Sequence, residues 1–179
     1  MKKSFVLAAL LPLAVAAQDI KKELNAELRT QVEFPATVPA GNYSGITWLG
    51  GNEYAVVCDK AKSDGFFIFH INIDPDTGVI SHAYSNEFRS SGYANRDMEG
   101  IAFLPKDTTI FISGEADNHI REYKLKTGKH TGRELIVPDS LSISAPNYGF
   151  ESLTYNATQH HFLPCYLDGN DGILNMTYY

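Results

Sequence analysis

The sequence is that of a mildly acidic protein of ordinary composition. It has 179 residues, of which 44% are hydrophobic and 20% are charged, and its net charge is −6. This charge excludes the electrostatic attraction by which proteins hold nucleic acids or anionic membranes, so neither is expected as a partner. Beyond the N-terminus, no segment is apolar over the roughly 20 residues that a membrane-spanning helix needs.

The N-terminus has the three parts of a secretory signal peptide. A basic start, Met1-Lys2-Lys3, precedes an uncharged apolar run over residues 5–17, FVLAALLPLAVAA. Small residues end this run just before the polar Gln18, as they do at cleavage sites. We therefore interpret residues 1–17 as a signal peptide and expect an exported protein, periplasmic or secreted. A buried N-terminal helix is the alternative, and residues 18–40 are predicted to be a lead-in segment.

A five-residue pattern occurs three times in the rest of the chain. Each copy has an acidic residue or serine followed by small, aliphatic, small and aromatic residues, and the copies start at Ser44, Glu99 and Glu151. After the first two copies come further runs of β-branched and aromatic residues between turns rich in Gly, Asp and Asn, which is typical of strands joined by hairpins. These runs lie at residues 54–58, 65–71 and 79–84, and again at 109–113, 119–125 and 133–137.

Four short antiparallel strands that repeat at about fifty residues are typical of a β-propeller blade. The sequence therefore predicts an all-β fold: an incomplete β-propeller after the signal peptide, with about two and a half four-stranded blades at residues 41–162. A β-sandwich with similar hairpins is the alternative. Cys58 and Cys165 are predicted to occupy the same position in non-adjacent blades, so we expect no disulfide between them.

Two segments of the repeat resemble a known family. They are residues 96–102, RDMEGIA, and residues 147–154, NYGFESLT, and the turn sequence ISGE at residues 112–115 accompanies them. These motifs resemble the bacterial phytase-like family, described as "esterase-like activity of phytase", whose members are propeller domains of exported proteins. The resemblance covers residues 41–162.

The end of the chain departs from the repeat. Pro164 falls where the repeat requires a paired strand, and its missing N–H is a defect there. We interpret residues 163–179 as an aberrant tail of a truncated family member. The alternative is a genuine half-ring that self-associates with another chain through its open blade edges.

The resemblance to a propeller implies a site at the central channel, which the first strand of each blade lines. The repeat places Glu99 and Glu151 at equivalent starts of such strands. Carboxylates that converge repel one another unless protons or a cation compensate, and calcium prefers hard oxygen ligands of this kind. Calcium is therefore the expected cofactor. Its predicted ligands are Glu99, Glu151, Asp97, Glu115 and Asp59, with solvated turns as the alternative for Glu115 and Asp59.

The more distantly similar β-propeller phytases imply that such a site holds phosphate esters. On this basis Glu99, Glu151 and Asp97 are the predicted catalytic residues. Arg96 is predicted to bind substrate by a bidentate contact with phosphate or carboxylate, and Asn147 is predicted to assist it. The alternatives are that Arg96 neutralises Glu99 or Asp97 internally and that Asn147 shapes a turn. Because no G-x-S-x-G motif is present, serine-hydrolase chemistry is not expected.

Three functions are compatible with the sequence. The first is a calcium-dependent phosphoester hydrolase whose partner is a small-molecule phosphoester or another anionic ligand. The second is a non-catalytic propeller that binds a ligand or a partner. The third is an inactive fragment of a longer enzyme.

The signal-peptide interpretation predicts a defined mature N-terminus. Because small residues precede Gln18, we expect exported protein to begin at that residue. N-terminal sequencing of the exported protein checks this expectation. A chain that is recovered outside the cytoplasm and still begins at Met1 would contradict it.

Overall fold

The computed structural model describes residues 33, 35–139 and 149–167. The predicted signal peptide, most of the lead-in segment, Asn147 and the last part of the predicted tail lie outside the described residues. Within the described ranges the chain forms ten β-strands, and no helix there is long and apolar enough to cross a membrane.

Two four-stranded antiparallel sheets follow one another along the chain. In both, the strands are hydrogen-bonded in chain order, which is the meander of a propeller blade. Blade 1 consists of β1 (Tyr43–Gly50), β2 (Glu53–Cys58), β3 (Gly65–Ile73) and β4 (Ile80–Ser90). Blade 2 consists of β5 (Met98–Leu104), β6 (Thr109–Gly114), β7 (His119–Lys124) and β8 (His130–Leu135).

The described part of blade 3 is an antiparallel pair, β9 (Gly149–Asn156) and β10 (His161–Leu167). β10 includes Pro164, which lies opposite Leu153, so the paired strand continues beyond the boundary at residue 162 that the sequence predicted. Among the described residues β10 is the outer strand of its sheet, and an edge is the position at which a sheet tolerates proline.

The three sheets pack face to face as consecutive blades. One apolar core lies between blades 1 and 2, where Val57 and Phe66 meet Ile101 and Ile112. A second core lies between blades 2 and 3, where Phe111 packs with other buried side chains of both blades. The innermost strands β1, β5 and β9 are neighbours in this order. The prediction of an all-β propeller is therefore confirmed for the part of the chain that the structure describes.

Glycine at the second position of the repeat lets the innermost strands approach closely. A Cβ atom on Gly45 would lie 2.7 Å from the carbonyl oxygen of Glu99. A Cβ atom on Gly100 would lie 2.6 Å from the carbonyl carbon of Ser152, and closer still to the nitrogen of Leu153. Real Cβ atoms do not approach backbone at such distances, so these contacts between blades require glycine.

The first position of the repeat is a β-bulge in every blade. The register of β1 with β2 skips Ser44, that of β5 with β6 skips Glu99, and that of β9 with β10 skips Glu151. A bulge places an extra residue in one strand and re-aims its side chain. The equivalence of the three positions, which the sequence pattern predicted, is therefore present in the backbone as well.

Blade 1 has one face that no blade covers in the described part of the chain. On this face Ile46 is 56% exposed and Trp48 is 61% exposed, whereas the repeat-equivalents of Ile46 are buried, Ile101 at 2% and Leu153 at 6%. In blades 2 and 3 the preceding blade provides that burial. The lead-in segment covers another part of the face, where Val38 is buried against the sheet.

The two cysteines are free thiols, as expected. Their predicted equivalence is wrong by one residue, however. Cys165 lies opposite Ser152, just as Val57 lies opposite Gly45, so its counterpart in blade 1 is Val57 rather than Cys58. The hairpins account for the shift: Gly45 lies opposite a residue 12 positions later in blade 1, whereas Ser152 lies opposite one 13 positions later in blade 3.

Replacing Gly100 should destabilise the packing of blades 2 and 3. In Gly100→Ala the added methyl group overlaps the backbone of β9, which cannot retreat without separating the blades, so we expect a loss of about 3 kcal/mol in the free energy of unfolding. The control is Gly51→Ala, where φ is +55° and nothing lies within 4 Å of the new Cβ. It should cost only about 1 kcal/mol, from backbone strain. Urea denaturation measures both, and equal losses would contradict the packing argument.

Candidate functional site

The candidate site lies where β5 and β9 begin. The bulges at Glu99 and Glu151 present two half-buried carboxylates there. Two further acids come from turns, Asp59 directly after β2 and Glu115 directly after β6. Glu115 packs against the first residue of β9, since a Cβ on Gly149 would lie 2.5 Å from its Cγ. Three blades thus contribute one acidic side chain or more to the same end of the sheets.

The four carboxylates act on one another electrostatically. The pKa of Glu99 is raised to about 7, mainly by burial and then by the negative charges of Asp59, Glu151 and Glu115. The pKa of Glu151 is also raised, first by burial and then by the charge of Glu115. Four of the five carboxylates that the sequence predicted as calcium ligands are therefore brought together here.

Asp97, the fifth predicted carboxylate, is held in an unusual backbone conformation. Its φ is +49°, a left-handed value that non-glycine residues adopt mainly where the surroundings impose it. Its amide donates to Oδ1 of Asn95 at 2.6 Å, and its carbonyl accepts from the amide of Glu115 at 2.8 Å. The carboxylate lies 3.3 Å from the ammonium group of Lys60. Asp97 is thus an ion-pair partner at the rim of the site.

Lys60 is the residue of this site that sequence reasoning missed. Its Nζ lies 3.0 Å from Oδ2 of Asp59 and 3.3 Å from Oδ1 of Asp97, and its side chain is 63% exposed. The hydrogen bond to Asp59 and then that to Asp97 raise the pKa of the ammonium group, and its charge lowers the pKa of Glu99. The repeat carried no signal for it, because Ala116 is the residue that follows the acidic turn residue in blade 2.

Arg96 is placed differently from either sequence-based expectation. It is 5% exposed, and its guanidinium donates to Oδ1 of Asp117 at 2.8 Å and to the hydroxyl of Tyr123 at 3.0 Å. Its Nε lies 3.5 Å from the fully buried Asp64. Arg96 therefore pairs with the buried Asp64 and the partly exposed Asp117 rather than with Asp97 or Glu99. Burial without such partners would cost a charged group several kcal/mol.

The carboxylates match calcium in the type of donor but not in arrangement. Calcium takes six to eight oxygen ligands, and Glu99, Glu115, Glu151 and Asp59 offer oxygens of the right hardness. Within the described ranges, however, no three His, Cys, Asp or Glu side chains are placed to hold a metal ion. An ion at this site would require some of these side chains to move.

The raised pKa of Glu99 predicts a pH-dependent contribution to stability. Because the folded protein holds this proton up to about pH 7, against an ordinary pKa of 4.5, the contribution is fully present below pH 4.5 and is lost as pH rises through 7. We expect a loss on the order of 1 kcal/mol, a discounted value because the side chain is partly solvated.

The measurement is urea denaturation between pH 4 and 8 for the wild type and Glu99→Gln, whose difference isolates this group. Asp76→Asn, which removes an exposed turn carboxylate, is the control and should follow the wild-type profile. A Glu99→Gln profile parallel to the wild type would contradict the assignment.

Comparison with known proteins gives one family. The family model for phytase-like proteins, "Esterase-like activity of phytase", matches residues 38–167. No curated protein is a match for the sequence. Among solved structures, the chain is similar to Kuenenia stuttgartiensis hydrazine synthase, with 8% identity and a TM-score of 0.43 over 78% of this chain and 32% of that one.

A second similar structure is the β-propeller domain of Cps50 (Swd1) from Myceliophteria thermophila, with 12% identity and a TM-score of 0.42 over 75% of this chain and 36% of that one. This chain therefore spans about a third of the length of each solved chain. Likenesses this weak say nothing of activity. The family match runs across all three blades and both motif-bearing strands, β5 and β9, and by it the chain belongs to the phytase-like family.

Proposed function

We propose that this protein is an exported, phytase-like propeller that hydrolyses a phosphate ester, with calcium, at the Glu99 site. The observation that carries the proposal is the pKa of Glu99, which burial and then the surrounding acids raise to about 7. A general acid or base works best when its pKa lies near the working pH, because it can then both hold and release a proton. Glu99 meets this condition near neutrality.

The other acidic side chains have supporting roles in this proposal. Glu151, Glu115 and Asp59 keep the proton on Glu99, and their oxygens are available to a cation that would relieve their repulsion. Calcium, when bound, would neutralise the phosphate and polarise its oxygens. Asp97 positions Lys60, whose ammonium group is the positive charge at the rim that an anionic substrate meets.

A non-catalytic, ligand-binding propeller is the second candidate, and the position of Arg96 favours it. This guanidinium is committed to Asp117, Tyr123 and Asp64, so phosphate recognition would depend on the exposed Lys60. The other sequence-based interpretations, a fragment of a longer enzyme and self-association through open blade edges, stay predictions. Export likewise rests on the signal-peptide pattern alone.

The proposal predicts that Glu99 and Glu151 share one calcium ion. In Glu99→Gln and Glu151→Gln the volume is kept and one charge is lost, so calcium affinity should fall by about tenfold in each. Isothermal titration with calcium measures this, with Asp76→Asn as the control that removes an equal charge from a distant turn. Release of phosphate from p-nitrophenyl phosphate should require calcium, stop in a chelator, and be lost in Glu99→Gln.

The outcomes separate the two candidates. If calcium affinity falls in both variants while the wild type releases no phosphate from any ester tried, the binding function replaces the hydrolase. If Glu99→Gln and Glu151→Gln both bind calcium as the wild type does, the shared site is refuted.

A further inference from the structure

A pocket lies beside the Glu99 site, on the face of blade 1 that no described blade covers. Its lining residue Phe67 lies opposite Val56, which in turn lies opposite the exposed Ile46. Its volume is about 590 Å³, within the range of roughly 300–1,000 Å³ that small-molecule sites occupy. Cys58 at the end of β2, Phe67 of β3 and Phe88 of β4 line it, together with residues 40–42 just before β1 and residues 60–63 of the turn after β2. Lys60 thus stands between this pocket and the acidic site.

The turn that forms the pocket wall departs from the repeat. Blade 1 has six residues between β2 and β3, at 59–64, whereas blade 2 has four between β6 and β7, at 115–118. The longer turn carries Lys60 and Lys62, while its counterpart, EADN, has no basic residue. The hairpin closes with the shorter turn in blade 2, so the fold itself does not require the two additional residues or their charges.

Hydrogen bonds hold this turn in place. The side-chain amide of Asn95 donates to the carbonyl oxygens of Asp59 and Ala61, at 2.6 Å each. The hydroxyl groups of Ser63 and Ser90 are 3.0 Å apart, which ties the far end of the turn to β4. The wall is therefore built before any ligand arrives, and a preorganised wall lowers the entropy cost of binding.

The pocket combines an aromatic floor with a basic rim. The rings of Phe67 and Phe88 lie with their centroids 4.7 Å apart and are only partly buried. At the rim, Lys60 is paired with Asp59 and Asp97, whereas Lys62 is exposed and forms no ion pair with any residue in the described ranges. The chain has a net charge of −6, so two lysines at one rim form a local basic site on an acidic protein.

We propose that this pocket binds a small organic anion. The anionic head, a phosphate or a carboxylate, meets Lys62 and the hydroxyl group of Ser63, and an aromatic or short aliphatic body packs on Phe67 and Phe88. Charge selects the head, and burial of apolar surface holds the body. The proposal does not depend on hydrolysis or on calcium at the Glu99 site.

Binding of 1-naphthyl phosphate to the full chain tests this site, measured by isothermal titration in a chelator so that calcium is absent. Lys62→Met should weaken binding by about tenfold, the loss expected when one charge-assisted contact is removed. Lys124→Met, which removes an exposed lysine of β7, is the matched control and should bind as the wild type does. Glu99→Gln should also bind normally, so failure of this site and failure of the proposed hydrolase are distinguishable.

Two further probes assign the parts of the ligand. Inorganic phosphate should bind more weakly than 1-naphthyl phosphate. In Phe88→Leu the difference between the two affinities should be smaller than in the wild type. 1-Naphthoate shows whether a carboxylate head suffices. In the wild-type protein, amide NMR shifts on titration should be confined to residues near 58–63, 67 and 88, which keeps the test independent of how the variants fold.

Several results would overturn the proposal. The first is that the wild type does not bind 1-naphthyl phosphate at millimolar concentration. The second is that Lys62→Met and Lys124→Met lose affinity equally, and the third is that the NMR shifts occur away from the pocket residues. If the pocket substitutions change the sedimentation coefficient and leave binding unchanged, this face is a contact between copies of the chain and the small-ligand proposal is wrong.

Discussion

The close approach of neighbouring innermost strands is the constraint on which the rest of this structure depends. Gly45 lies against the backbone at Glu99, and Gly100 lies against the backbone at Ser152. Because no Cβ separates these strands, the blades pack tightly enough for the two apolar cores between them to form. The same approach brings the bulge residues of successive blades to one end of the sheets, so the packing requirement and the acidic site have a common origin.

At that end of the sheets, the buried acids and the half-buried acids differ in how their charges are balanced. The buried acids, such as Asp64, are matched by the buried Arg96 and by the hydroxyl of Tyr123, which donates to Asp64 at 2.8 Å. Among the described residues, the exposed Lys60 supplies the positive charge beside the half-buried acids around Glu99. Burial, and then the repulsion that this ammonium group does not balance, raise the pKa of Glu99. An excess of negative charge beside water suits cation binding, whereas the buried network suits stability.

The sequence predicted the blades well because strand periodicity and turn residues are local signals. It also predicted that Glu99 and Glu151 are equivalent, since the repeat pattern records their positions directly. It misplaced Arg96, because burial depends on contacts with Asp117 and Tyr123 that are distant in the chain. It missed Lys60 for a related reason: the turn after β2 is longer than its counterpart after β6, and comparison of repeats gives no information where one copy has extra residues. The one-residue error at Cys165 came from the hairpin between the first two strands, which is one residue shorter in blade 1 than in blade 3.

Because the first position of the repeat is a bulge, a substitution there has a different effect from a substitution at a regularly paired position. A residue that pairs regularly in a strand projects its side chain into one packed face of the sheet. The bulge residue lies outside the register, so its side chain can vary without disturbing the core. Blade 1 has Ser44 there, with its hydroxyl donated to the carbonyl of Met98, whereas blades 2 and 3 have glutamate. Each blade can thus set its own contribution to the charge at the axis by a single substitution. The charge at this end of the sheets can therefore change while the strand pairing stays the same.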